Sequence, residues 1–162
     1  MESVVLRPAG LPDATMLAQI QRDAELAAFS HIFPPDRYPY PFEAVVTEWD
    51  QALADAQAQV ITAESAGRII GVVATNPGHL RSLYVSPPHW GTGIARLLHD
   101  TAIDTENNTG QWQLWVLKNN NRARRFYERQ GWHADGRTKP LDYPPHPTLL
   151  GYQLTVTDRA ST

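Results

Sequence analysis

Two glycines, Gly91 and Gly93, stand between a strand-like run and an amphipathic helix, and that arrangement can hold an anion. The run Leu80-Arg-Ser-Leu-Tyr-Val85 is followed by Pro87 and Pro88, then by Gly91-Thr92-Gly93. Apolar positions at Ile94, Leu97, Leu98 and Ala102 then recur at helical spacing. The first amides of a helix have no partner of their own and carry partial positive charge. A mouth stripped of side chains by glycine therefore suits an anion such as a pyrophosphate. An ordinary strand-to-helix connection would use the same residues. A second segment of interest runs Asn120-x-x-Ala123-x-x-Phe126-Tyr127-x-x-x-Gly131-Trp132. Asn120 can cap a helix there, Ala123, Phe126, Tyr127 and Gln130 line one side, and Gly131 suits the left-handed position at its end. That reading explains most of the segment structurally. It does not require a phenol beside the phenylalanine.

Other chemistries find no foothold. The chain has no cysteine, which excludes disulfides, thiolate zinc sites and a cysteine nucleophile. Its six histidines are too scattered for a metal-ligand pattern, so no metal is expected. No serine-hydrolase elbow, P-loop or full dinucleotide fingerprint occurs. A net charge of -3 gives no basic excess for general nucleic-acid binding. The 162 residues, 42% hydrophobic and 19% charged, predict a single globular domain with a substantial core over 1–162. The first residues are too few and too acidic for a secretory signal, and no apolar run is long enough to span a membrane. A cytoplasmic protein without a membrane partner is expected.

The elements that would position these segments follow in order. Residues 3–7 read as a strand closed by Pro8, and Asp13 as the cap of a helix to about Ser30, with Leu17, Ile20, Ala24 and Ala27 along one side. Residues 33–42 alternate four prolines with four aromatics, which predicts a stiff, extended, non-helical piece. It either covers the core edge or walls a substrate. A helix over Glu43 to about Ala56 precedes two strands, 59–64 and 68–74, joined by the turn 65–67. Gly71 interrupts the second of these, for close packing or a bulge. The strand 80–85, the helix from Gly93 to about Thr105 and a polar run at 106–110 come next. A strand at 111–117 places Trp112, Leu114 and Val116 on one face, and strands at 132–138 and 148–156 flank the loop 139–147. That loop repeats the proline-and-aromatic character of 33–42, and the two hold eight of the thirteen prolines. They are expected to form two banks of one acceptor cleft. A polar end, 157–162, is expected to fray.

The two segments resemble motifs A and B of the GNAT (GCN5-related N-acetyltransferase) superfamily. Motif A reads Q/R-x-x-G-x-G/A, with Gly93 as the first glycine, Ala95 at the last position and Leu83-Tyr84-Val85 as the strand lead-in. Trp90 takes the Q/R place, a departure that removes a polar side chain from the phosphate site. Motif B is matched at Asn120, Ala123, Phe126, Tyr127, Gly131 and Trp132, about 30 residues further on. Together they span roughly 80–132, and the order of strands and helices extends the resemblance more weakly over nearly the whole chain.

The resemblance implies an α/β (α+β) GNAT fold: a mixed, mostly antiparallel sheet of six to seven strands, splayed between 80–85 and 111–117 and flanked by about four helices. It implies an acetyl-CoA-dependent N-acetyltransferase acting on a primary amine, most simply of a small molecule such as an amino acid, polyamine or antibiotic-like amine. Modification of a protein N-terminus and a non-catalytic acyl-CoA-binding or sensing domain are the alternatives. Coenzyme A would pair with the strand edge at Leu83, Tyr84 and Val85. Its pyrophosphate would rest on the amides of Gly91, Thr92, Gly93, Ile94, Ala95 and Arg96. Arg122, Arg124 and Arg125 would either reach its 3′-phosphate region or form a solvated helix face. Asn120 would orient the cofactor or start its helix, and Tyr127 would protonate the departing thiolate. A phenol with a reference pKa of ~10 keeps its proton at neutral pH. Homodimers are common among such proteins. Many relatives carry a glutamate just before the Leu-Tyr-Val lead-in, where Arg81 and Ser82 stand here. The base must then come from elsewhere, and Glu25, His31, Glu64, His79 and Asp142 are the candidates.

Overall fold

The computed structural model describes residues 3–105 and 110–156; the polar run at 106–109 and the tail at 157–162 lie outside the described residues. Seven strands form a single sheet among these residues: β1 Val4–Pro8, β2 Gln59–Ser65, β3 Arg68–Asn76, β4 His79–Val85, β5 Gly110–Leu117, β6 His133–Pro140 and β7 Thr148–Val156. Their order is β1-β2-β3-β4-β5-β7-β6. Every pairing is antiparallel except β4 with β5. Four helices complete the described fold: α1 Ala14–Phe29, α2 Phe42–Ala54, α3 Ile94–Thr105 and α4 Asn121–Arg129. The expected mixed sheet with about four helices is what forms.

Both faces of the central strands are apolar because helices cover both. Alternation along β2 and β3 sends Val60, Val72 and Ala74 to α1 and α2, where Leu17, Ala18, Val45 and Trp49 meet them. The residues between, Ile61, Ala63, Ile70 and Val73, face Ile94, Leu98 and Ala102 of α3. A third cluster joins Trp112, Leu114 and Val116 of β5 to Tyr127 of α4, with Trp132 and Tyr152. Gly71 serves close packing: a Cβ there would lie 2.9 Å from Leu98 Cδ1 and 3.3 Å from Ile94 Cγ2. The pairing also slips beside it, where Ala63 faces Gly71 and Glu64 faces Ile69.

A second slip shapes the site. Ala74 pairs with Ser82 and Thr75 with Leu80, so Arg81 is an extra residue in β4. The bulge resets the alternation and lets Leu80 and Leu83 both join the third cluster. Beside it, β4 pairs with β5 only at His79 and Gln113, and the Gln113 N–H donates to the Gly78 carbonyl at 2.9 Å. Beyond that point the two strands part, as the resemblance implies.

Two local expectations are corrected. Asp13 does not cap α1 with its side chain. Its carboxylate instead accepts the Gly10 N–H at 2.8 Å and pairs with Arg7 at 3.0 Å, because the chain first makes a short 3₁₀ turn over Leu11–Asp13. The segment 33–42 is not extended throughout. The amides of Arg37 and Tyr38 both donate to the Pro34 carbonyl, closing one helical turn. Pro34 and Pro35 tolerate this because the first residues of such a turn need no N–H.

Candidate active site

The open end of β4 begins the site. The Ser86 N–H donates to Ile70 on β3 at 2.9 Å. Backbone groups alternate sides along a strand, so those of Leu83 and Val85 face the gap toward β5. The Val85 carbonyl is engaged there by the Trp90 indole N–H at 2.7 Å. Arg122 of α4 lies over the Trp90 ring, its Cζ 4.6 Å from the centroid. Trp90 thus ties the strand end to a basic helix and spends its one polar group, the indole N–H, on Val85.

The glycine mouth has the geometry its residues suggest. Gly91 and Gly93 adopt φ of +76° and +88°, and a Cβ built on either meets nothing within 4 Å. Their left-handed backbone disfavours any other residue. The Leu97 N–H closes the first turn on the Gly93 carbonyl at 3.0 Å. The amides of Gly93 to Arg96 precede the first intrahelical bonds and are left as donors.

Tyr127 faces this mouth from α4. Asn120 caps the helix, its Oδ1 accepting the Ala123 N–H at 3.2 Å. Tyr127 is 8% exposed, with its ring between Phe126 at 5.4 Å and Trp132 at 6.0 Å. The Trp132 indole N–H donates to His99 Nε2 at 2.9 Å. An indole only donates, so Nε2 accepts and His99 carries its proton on Nδ1, which reaches Asp100 Oδ1 at 2.9 Å. Burial lowers the His99 pKa and keeps the ring neutral. Burial likewise raises the pKa of the Tyr127 phenol, and its hydroxyl hydrogen-bonds to no described residue. The result is a protonated donor whose ring is packed between two others and whose oxygen no described residue engages.

These pieces bound a cleft of about 840 Å³. Leu83, Tyr84, Val85, Gly91, Gly93, Ile94, Ala95, Arg96, Asn120 and Tyr127 all line it. Thr92 does not line it; its hydroxyl turns back to the His89 carbonyl. Arg122 and Arg125 line the cleft, whereas Arg124 binds the Tyr152 hydroxyl and the Lys118 carbonyl at 2.9 Å each. Arg124 is therefore a structural tie between α4 and the sheet.

A second cavity of about 630 Å³ lies beyond, and both proline-rich loops line it, as expected of two banks. Each loop is fastened by a tyrosine. The Tyr40 hydroxyl donates to Glu25 of α1, and the Tyr143 hydroxyl to Glu48 of α2, both at 2.8 Å. Glu25, Phe29 and Tyr84 line both cavities and mark where they join. Of the candidate bases, Glu64 is occupied by Arg7 at 2.7 Å, and His31 lines neither space. His79 and Asp142 line only the second cavity. Glu25 alone among them reaches the junction. Sequence reasoning missed Glu48 and Phe29; their only signal was their helical register beside Trp49 and Glu25.

Comparison with known proteins places this arrangement. The sequence pattern of the Acetyltransferase (GNAT) family matches residues 18–132. An uncharacterized N-acetyltransferase of Mycobacterium tuberculosis (strain H37Rv) is 33% identical over 91 residues, covering 52% of this chain and 58% of that protein. The chain thus matches just over half the length of that relative. The fold recurs in the PaiA N-acetyltransferase from Thermoplasma acidophilum in complex with coenzyme A, with a TM-score of 0.70, 16% identity and coverage of 95% and 99%. It recurs also in the ribosomal-protein-S18-alanine N-acetyltransferase of Escherichia coli, with a TM-score of 0.72, 15% identity and coverage of 96% and 95%. On the family match, joined to the parted strands and the glycine mouth, this chain belongs to the GNAT acetyltransferase family.

Proposed function

We propose that the protein is an acetyl-CoA-dependent N-acetyltransferase acting on a primary amine of a small molecule by direct attack. The observation that carries the proposal is the junction of the two cavities. One is an open-edged cleft ending at Tyr127; the other is a space walled by two loops, and they meet at Glu25, Phe29 and Tyr84.

The residues present fit coenzyme A. Gly91 and Gly93 leave open the volume their side chains would fill, and the amides behind them point at an anion site. The free backbone of Leu83 and the Val85 N–H offer a strand edge for an extended amide-bearing arm. Arg96, Arg122 and Arg125 supply positive charge for the phosphates. The acetyl thioester supplies an activated acyl group and a thiolate leaving group. A gap-facing N–H of Leu83 or Val85 stabilises the oxyanion, and Tyr127 donates its proton to the departing sulfur. The phenol suits this role because burial keeps it protonated and no described residue engages its oxygen.

Two fastened loops beside the cavity favour a small acceptor. Tyr143 bridges its loop to α2, and Tyr40 ties the other loop to α1, so the cavity is bounded by both loops. The test is release of free thiol from acetyl-CoA against a panel of small amines and short peptides, with a control lacking acceptor. Small amines should give acceptor-dependent release. A signal from peptides alone would favour the protein N-terminus, and silence with retained coenzyme A binding would favour a sensing domain.

A further inference from the structure

Two hydrogen bonds fasten α1 to its neighbours where the two cavities join. The Trp49 indole N–H of α2 donates to Gln21 Oε1 at 2.8 Å. Gln21 stands one turn before Glu25 on α1 and helps hold the Glu25 pKa down. The Tyr40 hydroxyl donates to Glu25 Oε1 from the other side at 2.8 Å. One neutral donor thus aims the carboxylate, and no basic side chain among the described residues forms an ion pair with it. A carboxylate held in this way keeps its orientation and still lacks a cation.

We infer that Glu25 is the proton acceptor for the incoming amine, with Tyr40 as its positioning residue. This rests on the acetyltransferase reading of the same site. The amine arrives as an ammonium ion, which the unpaired carboxylate attracts and which cannot attack until it loses a proton. Glu25 accepts one N–H proton, and the freed lone pair forms the C–N bond at the thioester carbon as the C–S bond breaks. The nitrogen loses two protons in all. One is released to solvent by way of Glu25, and the other replaces the proton that Tyr127 gives to sulfur. The products are the amide, the thiol and one proton.

The groups facing Glu25 agree with this role. Glu48 of α2 adds a second negative charge, and the phenols of Tyr84, Tyr40 and Tyr143 all lie within its field. Arg22, on its own helix, acts on Tyr40 and stacks on Phe42 with its Cζ 5.1 Å from the ring centroid. Burial first, and Glu48 second, raise the Glu25 pKa, while Gln21 and the Tyr40 hydroxyl pull it back. The carboxylate becomes a stronger base than an exposed glutamate. The base that Arg81 and Ser82 of β4 do not supply is thereby supplied by α1, which lines the same cavity.

The experiment is the pH dependence of kcat/KM for the best amine of the panel, using wild-type enzyme, Glu25→Gln and Tyr40→Phe, with coenzyme A affinity measured by calorimetry. Glu25→Gln should lower kcat/KM about 100-fold near neutral pH. Its deficit should shrink about tenfold for each pH unit toward the pKa of the amine, because solvent then supplies neutral amine. Tyr40→Phe removes one donor to the carboxylate, so the acid limb of its profile should move to higher pH. Coenzyme A affinity should stay unchanged in both. A deficit that is constant across pH, or no deficit at all, would overturn the assignment while leaving the acetyltransferase reading intact. Wild-type enzyme that transfers acetyl to no amine would overturn both.

Discussion

Trp132 donates its indole N–H to His99 Nε2 at 2.9 Å, and the same indole stands edge-on to Tyr127 at 6.0 Å. The bond therefore does more than satisfy a buried donor. It sets the plane against which the Tyr127 ring rests, and so where its hydroxyl enters the cleft.

His99→Leu should lower stability by about 1–3 kcal/mol, since it leaves the Trp132 N–H buried without a partner. The wild type should also show a pH signature. Burial holds the folded His99 below its ordinary value of 6.5, so the unfolded chain binds the proton more readily. The contribution is complete above that value and is lost as pH falls through it toward the folded pKa. Thermal unfolding of both proteins at pH 5 to 8 checks this: the gap between their midpoints should narrow at the acid end.

Gly71→Ala tests the contact between α3 and the sheet. The added methyl would lie 2.9 Å from Leu98 Cδ1, and Leu98 is fully buried. Overpacking of this kind costs about 1–3 kcal/mol. It should push α3 off the sheet and misplace the glycine mouth, so chemical denaturation should show the lost stability and calorimetry a weaker affinity for coenzyme A. Unchanged affinity would mean the mouth does not depend on that packing.

Tyr143→Phe removes the hydroxyl that ties the second loop to Glu48. That bond raises the phenol pKa to about 12, with burial and the Glu48 charge adding to it. The partners are exposed, so the loss should be modest: a 2- to 10-fold rise in acceptor KM, on the order of 0.5–1.5 kcal/mol. Steady-state kinetics should show kcat and the KM for acetyl-CoA unchanged within about twofold.

Much of this architecture was legible because helical and strand periodicities differ. The β2 to β5 strands and α3 showed their buried faces directly, and the pairing of glycine mouth with tyrosine helix pointed to both walls of the cleft. Local competition explains what was not legible. Asp13 has the composition of a helix cap, yet Arg7 and Gly10 claim its oxygens. Pro34 and Pro35 forbid a helix interior but permit the first turn that forms. Ala27 fits the apolar stripe of α1 by spacing but faces solvent.

The junction residues were the least legible. Glu25 and Glu48 lie 23 positions apart on separate helices, and each meets its tyrosine from a loop that no periodicity describes. Trp90 shows the converse. It breaks the family pattern as a side chain, and only the fold reveals that its N–H closes the end of β4.

The most direct test of the account is acetyl transfer by Tyr127→Phe under conditions where chemistry limits the rate. The hydroxyl has no described partner, so its removal should disturb neither the fold nor coenzyme A binding. Turnover with the best amine should fall at least about 100-fold while calorimetric affinity for coenzyme A stays within about twofold. Unchanged turnover in this variant, with acceptor-dependent transfer intact, would contradict the assignment of Tyr127 as the proton donor.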